Sequence, residues 1–198
     1  MSRDAYIQTY TGRLVNPFDI KEGDISIEDI AHSLSMQCRF NGNTNKFYSV
    51  AEHSINVSLI LRSMPAKTQL LGLLHDATEA YLSDIPTPVK KYLPDYLSIE
   101  EKLSTDIYRE LHPQYGDLSV NDFYLVNLVD KELTVLEGRG FMGGDVWDEM
   151  PSSFNFNHGF SLETTRSIEE IEDMFLELYN SLWKEIANEQ AANRAGSR

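Results

Sequence analysis

Cysteine is nearly absent from this 198-residue chain, where Cys38 stands alone. A lone cysteine excludes an intrachain disulfide and a Cys-rich zinc site, and is compatible with a reducing compartment. Long apolar runs are missing too. No stretch approaches the roughly 18 uninterrupted apolar residues of a membrane span, and Met1 to Tyr6 lacks a basic segment leading into an apolar run. A cytoplasmic protein without a membrane partner is expected. Basic residues are scarce, with 17 Lys and Arg against 31 Asp and Glu and a formal net charge of -14. That balance argues against a nucleic acid polymer as partner, because counterion-release binding needs a broad basic surface. It does not exclude a small anionic substrate, since a few local cations and a metal can reverse the field inside one pocket.

What remains is ordinary globular usage, 41% hydrophobic and 24% charged, without internal repeats or low-complexity blocks. One domain over residues 1–190 is expected, followed by a flexible tail over 191–198. Weak alternation around Tyr6 to Val15 predicts a short extended or hairpin arm. Ser26-Ile27-Glu28-Asp29 resembles a capping box opening a helix to about Met36, and Asn and Gly after Gln37 break it, leaving Arg39 and Phe40 at a helix-to-loop junction. A second capping box, Ser49 to Glu52, opens a helix to about Ser63 with His53, Val57, Ile60, Leu61 and Met64 on one face. Taken alone, His53 reads as a core histidine.

The segment from Leu73 to Lys90 gathers charge in an apolar context. The helix expected from Lys67 to Leu82 is too apolar for a surface position, yet it carries His75, Asp76 and Glu79, and Asp84 and Lys90 follow in a Pro-punctuated turn. Ionisable groups in such surroundings need a partner or a metal. Further helices are expected from Ser98 to Leu111, from Ser119 to Leu136 and from Ser167 to Asn188. The second sets Asp130 beside its apolar face; by itself Asp130 reads equally well as a residue at the edge of the stripe. Residues 138–160 read as a long Gly- and aromatic-rich loop, functional or a plain excursion.

His53, His75, Asp76 and Asp130 come from three expected helices that a bundle could converge on one divalent ion. Two imidazoles and two carboxylates suit Mn, Fe, Co, Ni or Zn better than Ca. His32 is left as a core or edge residue.

The pattern of His53, then His75-Asp76, then Asp130 resembles the H, HD, D signature of the HD-domain phosphohydrolases over roughly residues 26–140. From His75 to Lys90 the chain is similar to bacterial 5'-deoxynucleotidases and to small phage dATP triphosphohydrolases. Arg39-Phe40 matches the place where those enzymes carry Arg followed by an aromatic. The resemblance implies an all-α HD-domain helical bundle with a short extended N-terminal arm. It implies His53, His75, Asp76 and Asp130 as metal ligands, Glu79 and Asp84 as catalytic carboxylates, Arg39 and Lys90 as a phosphate clamp, and Phe40 as a wall for base or sugar. One catalytic metal is favoured, with a second ion able to arrive with substrate, because few histidines are left over; Ala80 after Glu79 departs from the guanosine tetraphosphate hydrolases. The expected activity is dATP triphosphohydrolysis, with hydrolysis of deoxynucleoside monophosphates as the rival and a nucleotide-binding scaffold as the non-enzymatic alternative. A homo-oligomer is expected by the same resemblance.

Overall fold

The computed structural model describes residues 5–151, 162 and 166–196. At the N-terminus the arm forms an antiparallel hairpin, β1 (Ile7–Gln8) and β2 (Leu14–Val15), with Ile7 opposite Val15. The rest is helical, as expected for an all-α protein: α1 (Ile27–Met36), α2 (Val50–Ile60), α3 (Ala66–Leu74), α4 (Glu79–Leu82), α5 (Thr87–Lys90), α6 (Pro94–Leu111), α7 (Val120–Phe141), α8 (Asp145–Asp148) and α9 (Ile168–Gly196). Among the described residues no helix is long and apolar enough to cross a membrane.

Helix α3 is the centre of the bundle. Leu70, Leu71, Leu73 and Leu74 are all buried, so from Leu70 on the helix has no solvent face, and α2, α7 and α9 pack around it. Gly72 lets α2 come close: a Cβ there would lie 2.8 Å from Leu61 Cδ1. Helix α9 covers α1, α2 and α3 with Ile171, Phe175, Tyr179, Leu182 and Ile186, spaced three or four residues apart in the sequence as one apolar face requires.

Several elements differ from expectation, each for a local reason. The box at α1 does not form. The Ser26 hydroxyl donates to Glu28 instead, and Asp29 accepts from the Thr11 amide at 2.7 Å and the Thr11 hydroxyl at 3.0 Å, tying hairpin to helix. At α2, Ser49 accepts from the Glu52 amide, while the Glu52 carboxylate lies 3.6 Å from Arg166; the helix ends at Ile60. Helix α6 starts at Pro94 rather than Ser98, because a proline in the first turn wastes no amide hydrogen. Helix α7 has the complete box, Ser119 with Asp122, and runs to Phe141 instead of Leu136. Helix α9 continues through Gly196, so the backbone is helical where the tail is expected to begin; residues 197 and 198 lie outside the described residues, as does Phe154 to His158.

The most consequential difference is at the end of α3. The helix expected to reach Leu82 stops at Leu74, and residues 75–78 turn through shorter hydrogen bonds, Ala77 N to Leu74 O and Glu79 N to Asp76 O, before α4 resumes. His75 and Glu79 therefore do not share the flank of one regular helix. The turn after α4 is likewise partly helical, with α5 carrying Lys90 in its last turn.

Candidate active site

Three elements meet at one end of α3. Helix α2 contributes His53, the turn after α3 contributes His75 and Asp76, and α7 contributes Asp130; one ligand atom each from His53, His75 and Asp130 lies within 4.8 Å of the others. Asp76 joins them, with its Oδ2 3.2 Å from His75 Nε2 and 3.8 Å from His53 Nε2. His53 Nε2 lies 3.1 Å from Asp130 Oδ1. Thus all four residues expected at a metal come together.

The two imidazoles are held from behind. His53 Nδ1 lies 2.7 Å from Glu137 Oε1, and His75 Nδ1 lies 2.8 Å from the Gly72 carbonyl. An acceptor at Nδ1 holds the proton there and leaves the Nε2 lone pair facing inward, the arrangement of a metal-ligating histidine. His75 Nε2 is buried and makes no hydrogen bond despite its two neighbouring carboxylates. Lone pairs of nitrogen and carboxylate oxygen facing one another at such distances repel unless a proton or cation lies between them. Donors about 2.0–2.2 Å from one ion at right angles lie about 3 Å apart, close to the shorter separations in the cluster. The residues present therefore fit a divalent cation.

The imidazoles and carboxylates also set one another's protonation. Burial pushes the His53 and His75 imidazoles down, but Glu137 with Asp130, and Asp76 with Asp130, overcome it, so both are raised. Burial conversely pushes Asp76 and Asp130 up, and the two histidines more than reverse it. The charge of each group is thus set by its neighbours rather than by solvent.

Glu137 is absent from the residues expected at the site, yet it is fully buried and joins three of its parts. It accepts from His53, from Tyr48 Oη at 2.7 Å and from Arg39 Nε at 3.1 Å. Arg39 also donates to Thr134 at 3.1 Å and lies 3.4 Å from Asp76 Oδ2. A signal was available in the spacing: Asp130, Thr134 and Glu137 fall at i, i+4 and i+7 on α7.

Beside the cluster opens a cleft of ≈ 690 Å³. Arg39, Phe40, Glu79, Asp84 and Lys90 all line it together with Asp76 and Asp130, so the expected carboxylates, clamp and aromatic wall share one space. Glu79 Oε2 is buried without a partner. Burial, reinforced by Asp76 and Asp84, carries Glu79 well above the usual carboxylate range, and burial raises Asp84 as well. Lys90 lies 3.4 Å from Glu79 and 2.7 Å from Glu100, a second carboxylate that sequence patterns do not single out. Phe40 and Asn41 adopt left-handed backbone, φ 52° and 54°, costing roughly 1–2 kcal/mol each. The Arg39 amide bonded to the Tyr48 carbonyl and the Asn43 amide and side chain bonded to the Phe40 carbonyl hold that turn, which puts Phe40 at the cleft.

His32 is elsewhere, 2.9 Å from Glu172 and stacked on Tyr10.

No family model matches the chain. It is 45% identical over 103 residues to the uncharacterised protein YfdR of Escherichia coli (strain K12), covering 52% of this chain and 56% of that protein. Over 111 residues it is 39% identical to an uncharacterised protein of Rhodobacter capsulatus, covering 52% and 57%. To a 5'-deoxynucleotidase of Photobacterium profundum it is 24% identical over 191 residues, covering 88% of this chain and 89% of the relative. The chain spans a little over half the length of the first two of these relatives.

Proposed function

We propose that the chain is an HD-type, metal-dependent phosphohydrolase that removes phosphate from 2'-deoxynucleoside 5'-monophosphates. The observation that carries this reading is the convergence of two inward-facing imidazole nitrogens with Asp130 and Asp76 on a cleft that also holds an unpartnered carboxyl oxygen of Glu79. The relatives that bear an activity in their names are 5'-deoxynucleotidases, which favours the monophosphate as substrate. Cleft charge points the same way. Two of the three cations lining it are already paired, Arg39 with Glu137 and Asp76 and Lys90 with Glu79 and Glu100; Lys131 is the third. The dATP reading expected from the resemblance, which has more anionic charge to neutralise, therefore takes second place.

His53, His75, Asp76 and Asp130 would hold the ion. Bound there, a divalent cation supplies Lewis acidity that lowers the pKa of water and polarises the phosphoryl oxygens. Arg39, fixed by Glu137 and Thr134, and Lys90, fixed by Glu100, present positive charge to phosphoryl oxygens without reorganising during reaction. Water attacks phosphorus, the bond to the 5'-oxygen breaks, and that oxygen takes a proton. Glu79 and Asp84, which line the cleft, would exchange protons with water and leaving group.

The test loads the protein with Mn or Co and offers dAMP and dATP, with EDTA in a parallel sample. Metal-dependent release of phosphate from dAMP, with dATP intact, is expected. Tripolyphosphate from dATP with dAMP untouched would reverse the substrate choice. No metal-dependent turnover, together with unchanged nucleotide binding in Asp76→Ala, would leave the scaffold reading.

A further inference from the structure

Two clefts open from the metal-ligand cluster, both touching Asp76, Asp130 and Lys90. A nucleoside esterified to a phosphate at the cluster must leave along one of them. The smaller, ≈ 470 Å³, runs toward Glu100, Glu101 and Asn127. The larger contains the unpartnered Oε2 of Glu79 and ends at an apolar wall built from Phe40, Ile85, Met142, Trp147 and Met150.

Trp147 belongs to none of the metal, carboxylate or clamp sets, yet its position is closely determined. It stands on α8 with its ring against Gly138 of α7, where a Cβ would fall 2.2 Å from Trp147 Cδ2, so only a residue without a side chain accommodates the indole there. Its ring meets Phe40 edge to face, with centroids 5.6 Å apart and planes at 90°. The backbone that carries it is tied back to α7, since Arg139 donates to the Trp147 carbonyl at 3.0 Å and to the Met150 carbonyl at 2.6 Å. Trp147 is nonetheless only half-buried and lines the cleft. A fixed indole at right angles to a phenyl ring whose backbone is strained offers a planar heterocycle two faces meeting at a corner.

Building on the phosphohydrolase reading above, we infer that Trp147 and Phe40 form the nucleobase seat, with Trp147 the binding residue that distinguishes a nucleotide from a sugar phosphate. Stacking is tolerant of base identity, because every base has a π face. Selectivity among bases is therefore weak, and selectivity for having a base is strong.

The experiment compares dAMP with 2-deoxyribose 5-phosphate, which lacks the base, on metal-loaded wild type, Trp147→Ala, Gly138→Ala and Phe123→Ala, the last on the opposite cleft. The expected result is a KM for dAMP raised about ten-fold or more in Trp147→Ala, with a smaller rise in Gly138→Ala as the new Cβ displaces the indole. KM for the sugar phosphate stays as in wild type, which also reports that the variants fold. Phe123→Ala leaves both unchanged. A second readout needs no turnover. In a Glu79→Gln, Trp183→Phe protein, Trp147 is the remaining tryptophan of the chain's two, and its fluorescence is quenched saturably by dAMP and not by the sugar phosphate. If wild type turns over dAMP but its KM is indifferent to Trp147 and Gly138, or moves with Phe123 instead, the seat is wrong while the phosphohydrolase reading stands. If wild type turns over neither compound and dAMP quenches nothing, both readings fall.

Discussion

The two ends of helix α3 carry polar networks of similar make-up and opposite completeness. At its start, Thr68 donates to Asp122 at 2.6 Å, and Asp122 caps α7 by accepting from the Ser119 amide at 2.8 Å and hydroxyl at 2.6 Å. His112 completes that end, its Nε2 2.8 Å from the Lys67 carbonyl while Nδ1 accepts from the Gln114 amide at 3.3 Å. Every one of these buried side chains has its partners. At the other end, His75 Nε2 and Glu79 Oε2 are equally buried and make no hydrogen bond, although Asp76 Oδ2 faces the former at 3.2 Å. A network that closes upon itself holds helices together; buried atoms left over call for another explanation, which the proposed ion and substrate would supply.

The largest effect that separates the two ends is expected from exchanging their histidines for alanine. His75→Ala should abolish uptake of Mn or Co per folded molecule, followed by calorimetric titration, and remove measurable turnover, beyond the stability it loses with the Nδ1 bond to the Gly72 carbonyl. His112→Ala should do the reverse: it leaves the Lys67 carbonyl buried and unpaired, costs roughly 1–3 kcal/mol in urea unfolding, and binds metal normally per folded molecule. Metal loss in His112→Ala with retention in His75→Ala would break the contrast.

A smaller effect belongs to Glu137, which supports His53 from outside the ligand set. Glu137→Gln keeps an acceptor but weakens its pull on the Nδ1 proton, and should lower metal affinity about 10–100-fold. An affinity equal to wild type would show that burial alone orients His53.

The smallest effect is a pH dependence at the closed end. Burial tends to raise Asp122, but its bonds from Ser119 and Thr68, and nearby Lys67, hold it at about 2 against an ordinary 3.8. A carboxylate whose pKa is lowered by folding stabilises the fold fully above its unfolded value, and that contribution disappears as pH falls through the folded value. Asp122→Asn should thus be about 1 kcal/mol less stable than wild type above pH ~4, with the gap closing toward pH ~2. Urea unfolding across that range tests it, and a gap independent of pH would sink it.

Much of the site was readable from residue types. His53, His75, Asp76 and Asp130 stand out because each puts an ionisable group where its helix is apolar, and a bundle brings inward groups together. Glu137 escaped because α7 was expected to end one residue earlier, which left an inward carboxylate looking like a loop residue. The break after Leu74 had no local mark either. Apolar residues continue through Ala80, so helical periodicity reads straight across a turn that only the tertiary demands on His75 and Asp76 impose. Phe40 in left-handed backbone is similarly invisible, since Phe has no preference for that conformation, although Asn41 and Gly42, which follow it there, do.

Arg39 and Glu137 are 98 residues apart in the chain and pair directly, and His53 reaches across 84 residues to the same carboxylate. During synthesis, then, a nascent chain that has exposed α1 through α6 holds both histidines but neither Asp130 nor Glu137. At the usual elongation rate of about 5–20 residues per second, several seconds separate emergence of His53 from completion of its surroundings. On the metal-dependent reading proposed above, capture of an ion would have to wait for α7, and the moment at which a growing chain first retains metal would timestamp its docking.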